Sequence, residues 1–238
     1  AGVPAPTRET AADPRDALRD RLRDKGFKTI IEARKFAREH GIDGSNKEID
    51  EAVEEAVVGA ARTIVAQGNI RNVDAAGIYR RLVGLYDRQP NLASRTSTSV
   101  ANQAYSTPVP LAFLASRLAD VAGAKTVYEP TAGNGVLLIE ADPSKARANE
   151  IDPARSKTLV AQGFHVTQED AAARPLRLAP AHRFDAVIMN PPFGAVREAG
   201  KSKVFKIGDW QTTAIDHAIA LNSLEAMTDD GNAVLILG

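Results

Sequence analysis

Residues 185–194 read DAVIMNPPFG, and the fold turns on this stretch. Ala186 to Met189 are apolar without interruption, the pattern of a strand buried on both faces, as in a parallel sheet. That strand empties into Asn190, Pro191, Pro192 and Phe193, a short polar ledge at its carboxyl end. Ligands of open α/β sheets sit at this end of the strands. The Asn190 side-chain oxygen beside a backbone carbonyl offers two acceptors, a pair suited to a planar amino group. The two prolines restrict the backbone and preorganise the ledge. Phe193 adds a face for a flat ring, a contact worth roughly 1–3 kcal/mol per base in single-strand binders.

Outward from this strand the chain alternates strand and helix. Lys125 to Glu129 reads as a strand ending in the glycine loop PTAGNG, Pro130 to Gly135, followed by a short helix over Val136 to Ile139 and a turn at Asp142-Pro143. Ala146 to Ile151 is a second strand with Glu150 at its carboxyl end, and a helix from Pro153 to Gln162 stops at Gly163. Phe164 to Thr167 is a third strand, with Asp170 just beyond it. After the 185–194 strand, a loop to about 211 leads to a helix from Thr212 to Met227. NAVLILG, from Asn232, is a fifth strand. This alternation predicts a right-handed, mostly parallel α/β sheet covered on both faces.

The first 88 residues read differently. Residues 1–13 have no periodicity and form a tail. Asp13-Pro14 starts a helix with Leu18 and Leu22 on one face, and a second, about Lys28 to His40, carries Ile30, Ile31 and Phe36. Ser45 and Glu48 make a capping box for a third, whose Ile49, Val53, Val57, Ala60 and Ile64 keep helical spacing up to Gly68. A fourth from near Asn72 presents Ile78, Leu82 and Leu85. Residues 14–88 are thus an all-helical N-terminal region, 89–107 a Ser/Thr/Asn-rich linker, and 108–238 the α/β domain. That domain opens on a helix with Leu111, Leu114, Leu118 and Val121. Arg71, Arg80, Arg81, Arg88 and Arg95 outnumber Asp74 and Asp87 locally, as a solvated helix face or as phosphate contacts.

The chain has 238 residues, 44% of them hydrophobic, with 30 basic against 30 acidic. No global field draws it to a polyanion. There is no cysteine, which excludes disulfides, thiolate metal sites and cysteine nucleophiles. No run approaches the ~20 apolar residues of a membrane span, so a cytoplasmic protein is expected. The chain starts with Ala rather than Met and stops on an apolar strand that would be an exposed edge. Both features lead us to expect the remaining C-terminal part of a larger polypeptide beyond it. The four histidines, 40, 165, 182 and 217, read as structural.

A glycine loop, an acidic residue about 17 positions on and a second acidic residue after the third strand make a nucleoside site. Gly133 and Gly135 let backbone approach a ligand. Glu150 is placed to accept from ribose hydroxyls, and Asp170 from an adenine amine. A dinucleotide site wants a third glycine where Leu138 stands, and the phosphate loop's Gly-Lys-Ser/Thr is absent. The ligand therefore carries one nucleoside and no pyrophosphate.

VYEPTAGNGVLLIEA, NEID and DAVIMNPPFG, in that order, resemble motifs I, II and IV of class I S-adenosylmethionine-dependent methyltransferases, and AYSTP resembles their motif X. NPPF is similar to the form found in N6-adenine DNA enzymes. The resemblance runs from about Gln103 to the end. It implies a Rossmann-like sheet, here truncated after the fifth strand, and S-adenosylmethionine as cofactor. Its methionine end would be lined by Glu129, Thr131, Gly133 and Gly135, with Tyr105 and Thr107 from motif X. Glu150 would hold its ribose, and Asp170 with Ile151 its adenine. Asn190 and the Pro191 carbonyl would hold the target amine, with Pro192 fixing the turn and Phe193 stacking on a DNA adenine flipped out of the duplex. The loop after Phe193, with Arg197, Lys201, Lys203 and Lys206, would help retain it. The absent cysteine removes C5-cytosine methylation. Alternatives within reach of the same motifs are an RNA guanine-amino enzyme, a glutamine methyltransferase of release factors, and an inactive cofactor-binding module. The helical N-terminus and linker resemble very large phage and plasmid proteins that join a methyltransferase to a helicase-like region, some of them anti-restriction factors.

Overall fold

In the computed structural model, residues 13–91, 107–198 and 200–238 are described. Tyr105 and nearly all of the linker lie outside them. Four helices come first: α1 (Pro14–Asp24), α2 (Ile30–Glu39), α3 (Asn46–Ile70) and α4 (Ala75–Arg88). The first and third have the caps their sequence announces. Asp13 accepts from Arg15 N with Pro14 at the first turn, and the Ser45–Glu48 capping box closes in both directions. Asp74 caps α4, accepting from Gly77 N. Leu18, Leu22, Ile49, Val53, Ile78, Leu82 and Leu85 make the core of this region. Ile31, expected on the inner face of α2, is 73% exposed, because Ala33 and Ala37 are the residues α2 buries.

Next come α5 (Val109–Leu118), β1 (Val127–Glu129), β2 (Ala146–Asn149), α6 (Pro153–Ala161), β3 (His165–Thr167) and β4 (Phe184–Met189). The chain continues with two-residue strands β5 (Arg197–Glu198) and β6 (Lys201–Ser202), β7 (Phe205–Ile207), β8 (Trp210–Thr212), α7 (Ile215–Leu224) and β9 (Met227–Leu235). The main sheet has the order β3-β2-β1-β4-β9, with every pairing parallel. This is the α/β, Rossmann-like arrangement expected. One face packs Val127, Ala148, Ala186 and Ile188 against α5, Leu137 and Leu159. The other packs Met189 on Ala218 and Ile219 of α7 and Val187 beside Tyr128 and Phe184.

Three expectations are corrected. The leucines of α5 do not face the core: Leu111, Leu114 and Leu118 are 45%, 44% and 75% exposed. Val109, Ala112, Phe113 and Ala115 are buried instead, because small residues let this helix approach its neighbours closely around a single large ring. The loop after Phe193 is two antiparallel hairpins, β5/β6 and β7/β8, in which Phe205 and Ile207 are buried. Finally, Met227 belongs to β9, not to the helix before it. Asp229-Asp230-Gly231 is absorbed by a shift in the β4/β9 ladder between Phe184↔Met227 and Ala186↔Asn232, as a bulge allows.

The helical region and the sheet share one apolar cluster, since Val109 and Phe113 of α5 and Ile139 belong to the core of α1–α4. Phe113, 1% exposed, sits at that join. Phe113→Ala is expected to cost roughly 3–5 kcal/mol, measured by urea denaturation. Because the cluster is continuous, the signals of both regions should be lost together.

Candidate active site

Four parallel strands deliver their carboxyl ends to one edge of the sheet, and each carries a residue singled out above. Glu129 ends β1, Glu150 follows β2, Asp170 lies beyond β3 and Asn190 follows β4. β1 and β4 are neighbours although β2 and β3 intervene in sequence. The crevice therefore lies where the strand order reverses, the place at which such sheets bind ligands.

The glycine loop is built for close approach. Gly133 (φ +56°) and Gly135 (φ +85°) are both left-handed, where a side chain is strained. A Cβ at Gly135 would stand 3.0 Å from Leu159, whereas at Gly133 nothing lies within 4 Å, so the loop faces open space there. Glu150, 7% exposed, holds the loop to β2: one carboxylate oxygen accepts from Gly133 N at 2.8 Å and the other from Asp152 N at 2.8 Å. Asn134 Nδ2 reaches Glu51 and Glu54 of α3 at 3.4 and 3.3 Å. Arg155 of α6 forks onto Glu51 at 3.0 and 2.8 Å, so the helical region braces the loop from behind.

Glu129 is 1% exposed and its Oε2 is buried without a partner, as is Thr131 Oγ1. Burial, reinforced by the neighbouring Glu150 carboxylate, pushes the Glu129 carboxyl well above the ordinary range. Two carboxyl groups thus lie close to each other, one of them with an unpaired oxygen. Ile151 is 57% exposed. Asp170 is exposed, and its Oδ1 accepts from Ala172 N at 2.9 Å.

At the other end of the crevice, Asn190 Nδ2 donates to Thr107 Oγ1 at 2.8 Å. That bond fixes which way the carboxamide points, and Asn190 Oδ1 is left buried with no partner. An unsatisfied buried acceptor costs about 1–3 kcal/mol, and such atoms call for a reason. Thr107, 7% exposed, is thereby brought to the Asn190 ledge. Pro191 is buried, while Pro192 and Phe193 are half-buried, leaving part of the ring accessible.

Two positioning residues have no role assigned from the sequence, one inside NEID and one outside every motif. Asn149, 3% exposed, donates to the carbonyls of Pro130 and Glu169, both at 2.9 Å. It also accepts from Thr167 Oγ1 at 2.9 Å and Glu169 N at 3.0 Å. Asp216, 1% exposed at the start of α7, accepts from Gly194 N at 3.2 Å and so holds the end of the Asn190 turn. Asn149 is marked only by its place in NEID, and Asp216 only as a polar residue beside the apolar run of α7.

No protein-family model matches the chain, and no curated protein does. Among solved structures, it is similar to a candidate RNA methyltransferase from Pyrococcus horikoshii. The identity is 24% and the TM-score 0.41, over 63% of this chain and 68% of that one.

Glu129 gives a stability prediction. A carboxyl whose pKa is raised by folding keeps its proton longer in the folded chain than in the unfolded one. Its contribution is therefore complete below the ordinary value of 4.5 and is lost as pH rises toward the raised value. Glu129→Gln removes that loss. The variant should melt at or above the parent temperature at pH 7, with the advantage shrinking at pH 4. A lower midpoint at pH 7, read by calorimetry, would contradict the assignment.

Proposed function

We propose that the crevice transfers a methyl group from S-adenosylmethionine to an exocyclic amine, with the N6 amine of adenine in DNA as acceptor. The observation that carries this reading is Asn190 Oδ1, buried, unpaired and oriented by Thr107. A planar amino group is the partner such an oxygen lacks, and the Pro191 carbonyl supplies the second acceptor. The half-buried Phe193 ring beside them suits a flat base. A duplex adenine reaches the site only after leaving the stack, at a few kcal/mol.

The residues at the glycine loop fit the cofactor. Glu129 Oε2 and Thr131 Oγ1 are orphaned and buried, ready for the ammonium of an amino acid, and a Cβ at Gly133 would meet nothing within 4 Å. Glu150 would hold the ribose through the lone pairs its two backbone bonds leave free, and the exposed Ile151 and Asp170 would flank the adenine. When bound, the cofactor supplies a methyl group on a sulfonium centre.

This chain's own contribution is positioning. Asn190 and the Pro191 carbonyl would draw the two amine protons into their plane and so turn the nitrogen lone pair toward the methyl group. Alignment of this kind is worth roughly 7–11 kcal/mol when it is good. The lost proton needs no strong base, since an amine that has taken up a methyl group is acidic enough to release it to water. An ammonium bound beside Glu129 would offset the burial that raises its carboxyl and favour its charged form.

Two outcomes are expected. In labelled-methyl transfer to DNA, RNA and protein, Asn190→Ala should lower transfer at least about 100-fold, the scale of losing one aligned polar group. Affinity for S-adenosylhomocysteine should stay within about two-fold. In calorimetry, Glu150→Ala should weaken that ligand about tenfold or more, roughly 1.4 kcal/mol. Undiminished binding would remove the ribose role, and label appearing in RNA alone would move the acceptor from DNA to RNA.

A further inference from the structure

Four arginines meet over a cleft on the helical region, away from the crevice. Arg23 of α1 and Arg80, Arg81 and Arg88 of α4 line it with Gln67 of α3 and Gly84, around a space of about 340 Å³. Arg88 Nη2 donates to the Arg23 carbonyl at 3.3 Å, a neutral acceptor that leaves its charge uncancelled. Arg23 pairs with Asp20. Arg80 and Arg81 are exposed and have no ion pair among the described residues. The Nε donors of Arg23 and Arg88 are buried and unsatisfied.

The lining selects a class of ligand. Guanidinium forks match phosphate oxygens, and arginine keeps its charge at any physiological pH. No aromatic ring and no carboxylate lines the cleft, so nothing there would stack a base or hold a ribose, and a lone nucleotide would be gripped by its phosphates only. A phosphodiester chain, with one charge about every 3.4 Å along a strand, offers these spread donors repeated partners. The chain as a whole is neutral, so such attraction has to come from local clusters of this kind. At about 1.5 Å per residue, Gln67 lies roughly 24 Å along α3 from Glu51, which touches the glycine loop. That is the length of about seven base pairs.

We propose that this cleft binds the phosphodiester backbone of a nucleic acid, flanking the base engaged at Asn190. The use of duplex DNA as probe rests on the function proposed above. The test is fluorescence anisotropy of a labelled duplex with the full chain across a potassium chloride series. The Arg80→Ala/Arg81→Ala pair should weaken binding about tenfold and lower the slope of log affinity against log salt by about 1.8, at about 0.9 per phosphate contact. Arg80→Lys/Arg81→Lys should restore most of that slope, and Lys35→Ala, on an exposed face of α2, should leave it unchanged. S-adenosylhomocysteine affinity should be unaltered in all of them. Equal affinity and slope in parent and double-alanine variant would overturn the cleft assignment. The two proposals separate cleanly. A salt slope that depends on Arg80 and Arg81 without any methyl transfer sinks the transfer reading alone. Asn190-dependent transfer with an unchanged slope sinks the cleft alone.

Discussion

The Asn149 carboxamide makes four hydrogen bonds, to the carbonyls of Pro130 and Glu169, the Thr167 hydroxyl and the Glu169 amide. Those partners follow β1 and end β3, while Asn149 itself ends β2. One buried side chain with every valence used thus sets the relative depth of three strand ends. The glycine loop leaves from the first of them, and Glu150, the next residue, clamps that loop through Gly133. A buried amide with any of these bonds missing would pay the desolvation of an unpaired group, so the arrangement tolerates little displacement.

Against that satisfied network stand atoms left unsatisfied. Glu129 Oε2, Thr131 Oγ1 and Asn190 Oδ1 are buried with no partner, and they lie at the carboxyl ends of adjacent strands β1 and β4. By contrast, Glu150, Asn149 and Asp216 each have backbone donors or acceptors. Three unpaired acceptors at the ends of two adjacent strands mark a site whose partners arrive with a ligand. Their chemistry differs by position, with carboxyl groups at the glycine loop and a neutral amide oxygen at the ledge. That division fits a cationic ligand at one end and an amine at the other.

The helical region contributes to the same crevice through α3. Its apolar side joins Phe113 and Ile139 in a shared core. Along its polar side, Glu51 and Glu54 meet Asn134 and Arg155, and Arg62 donates to the carbonyls of Leu138 and Ala141. The loop is therefore held from two directions, by the sheet through Glu150 and by α3 through Asn134. The arginine cleft lies farther along that same helix, so a ligand there and one at the crevice would rest on a single rigid element.

The sequence by itself determined what is local. The capping box at Ser45, the apolar run of Ala186 to Met189, the glycines needing left-handed backbone and the acidic residues following short strands all express constraints within a few residues. From them the parallel sheet and the edge carrying Glu129, Glu150, Asp170 and Asn190 could be read. Only the tertiary structure decided matters of partnership. Apolar residues surround α5, and it is the approach of α4 and the sheet that chooses Phe113 over Leu111, Leu114 and Leu118. The bulge in β9 exists because β4 supplies a ladder that Asp229 to Gly231 must bypass. Thr107 faces Asn190, Glu51 reaches Asn134 and Asn149 ties three strands because residues 18 to 83 positions apart meet in space. No periodicity or motif encodes such distances; they follow from packing the whole chain.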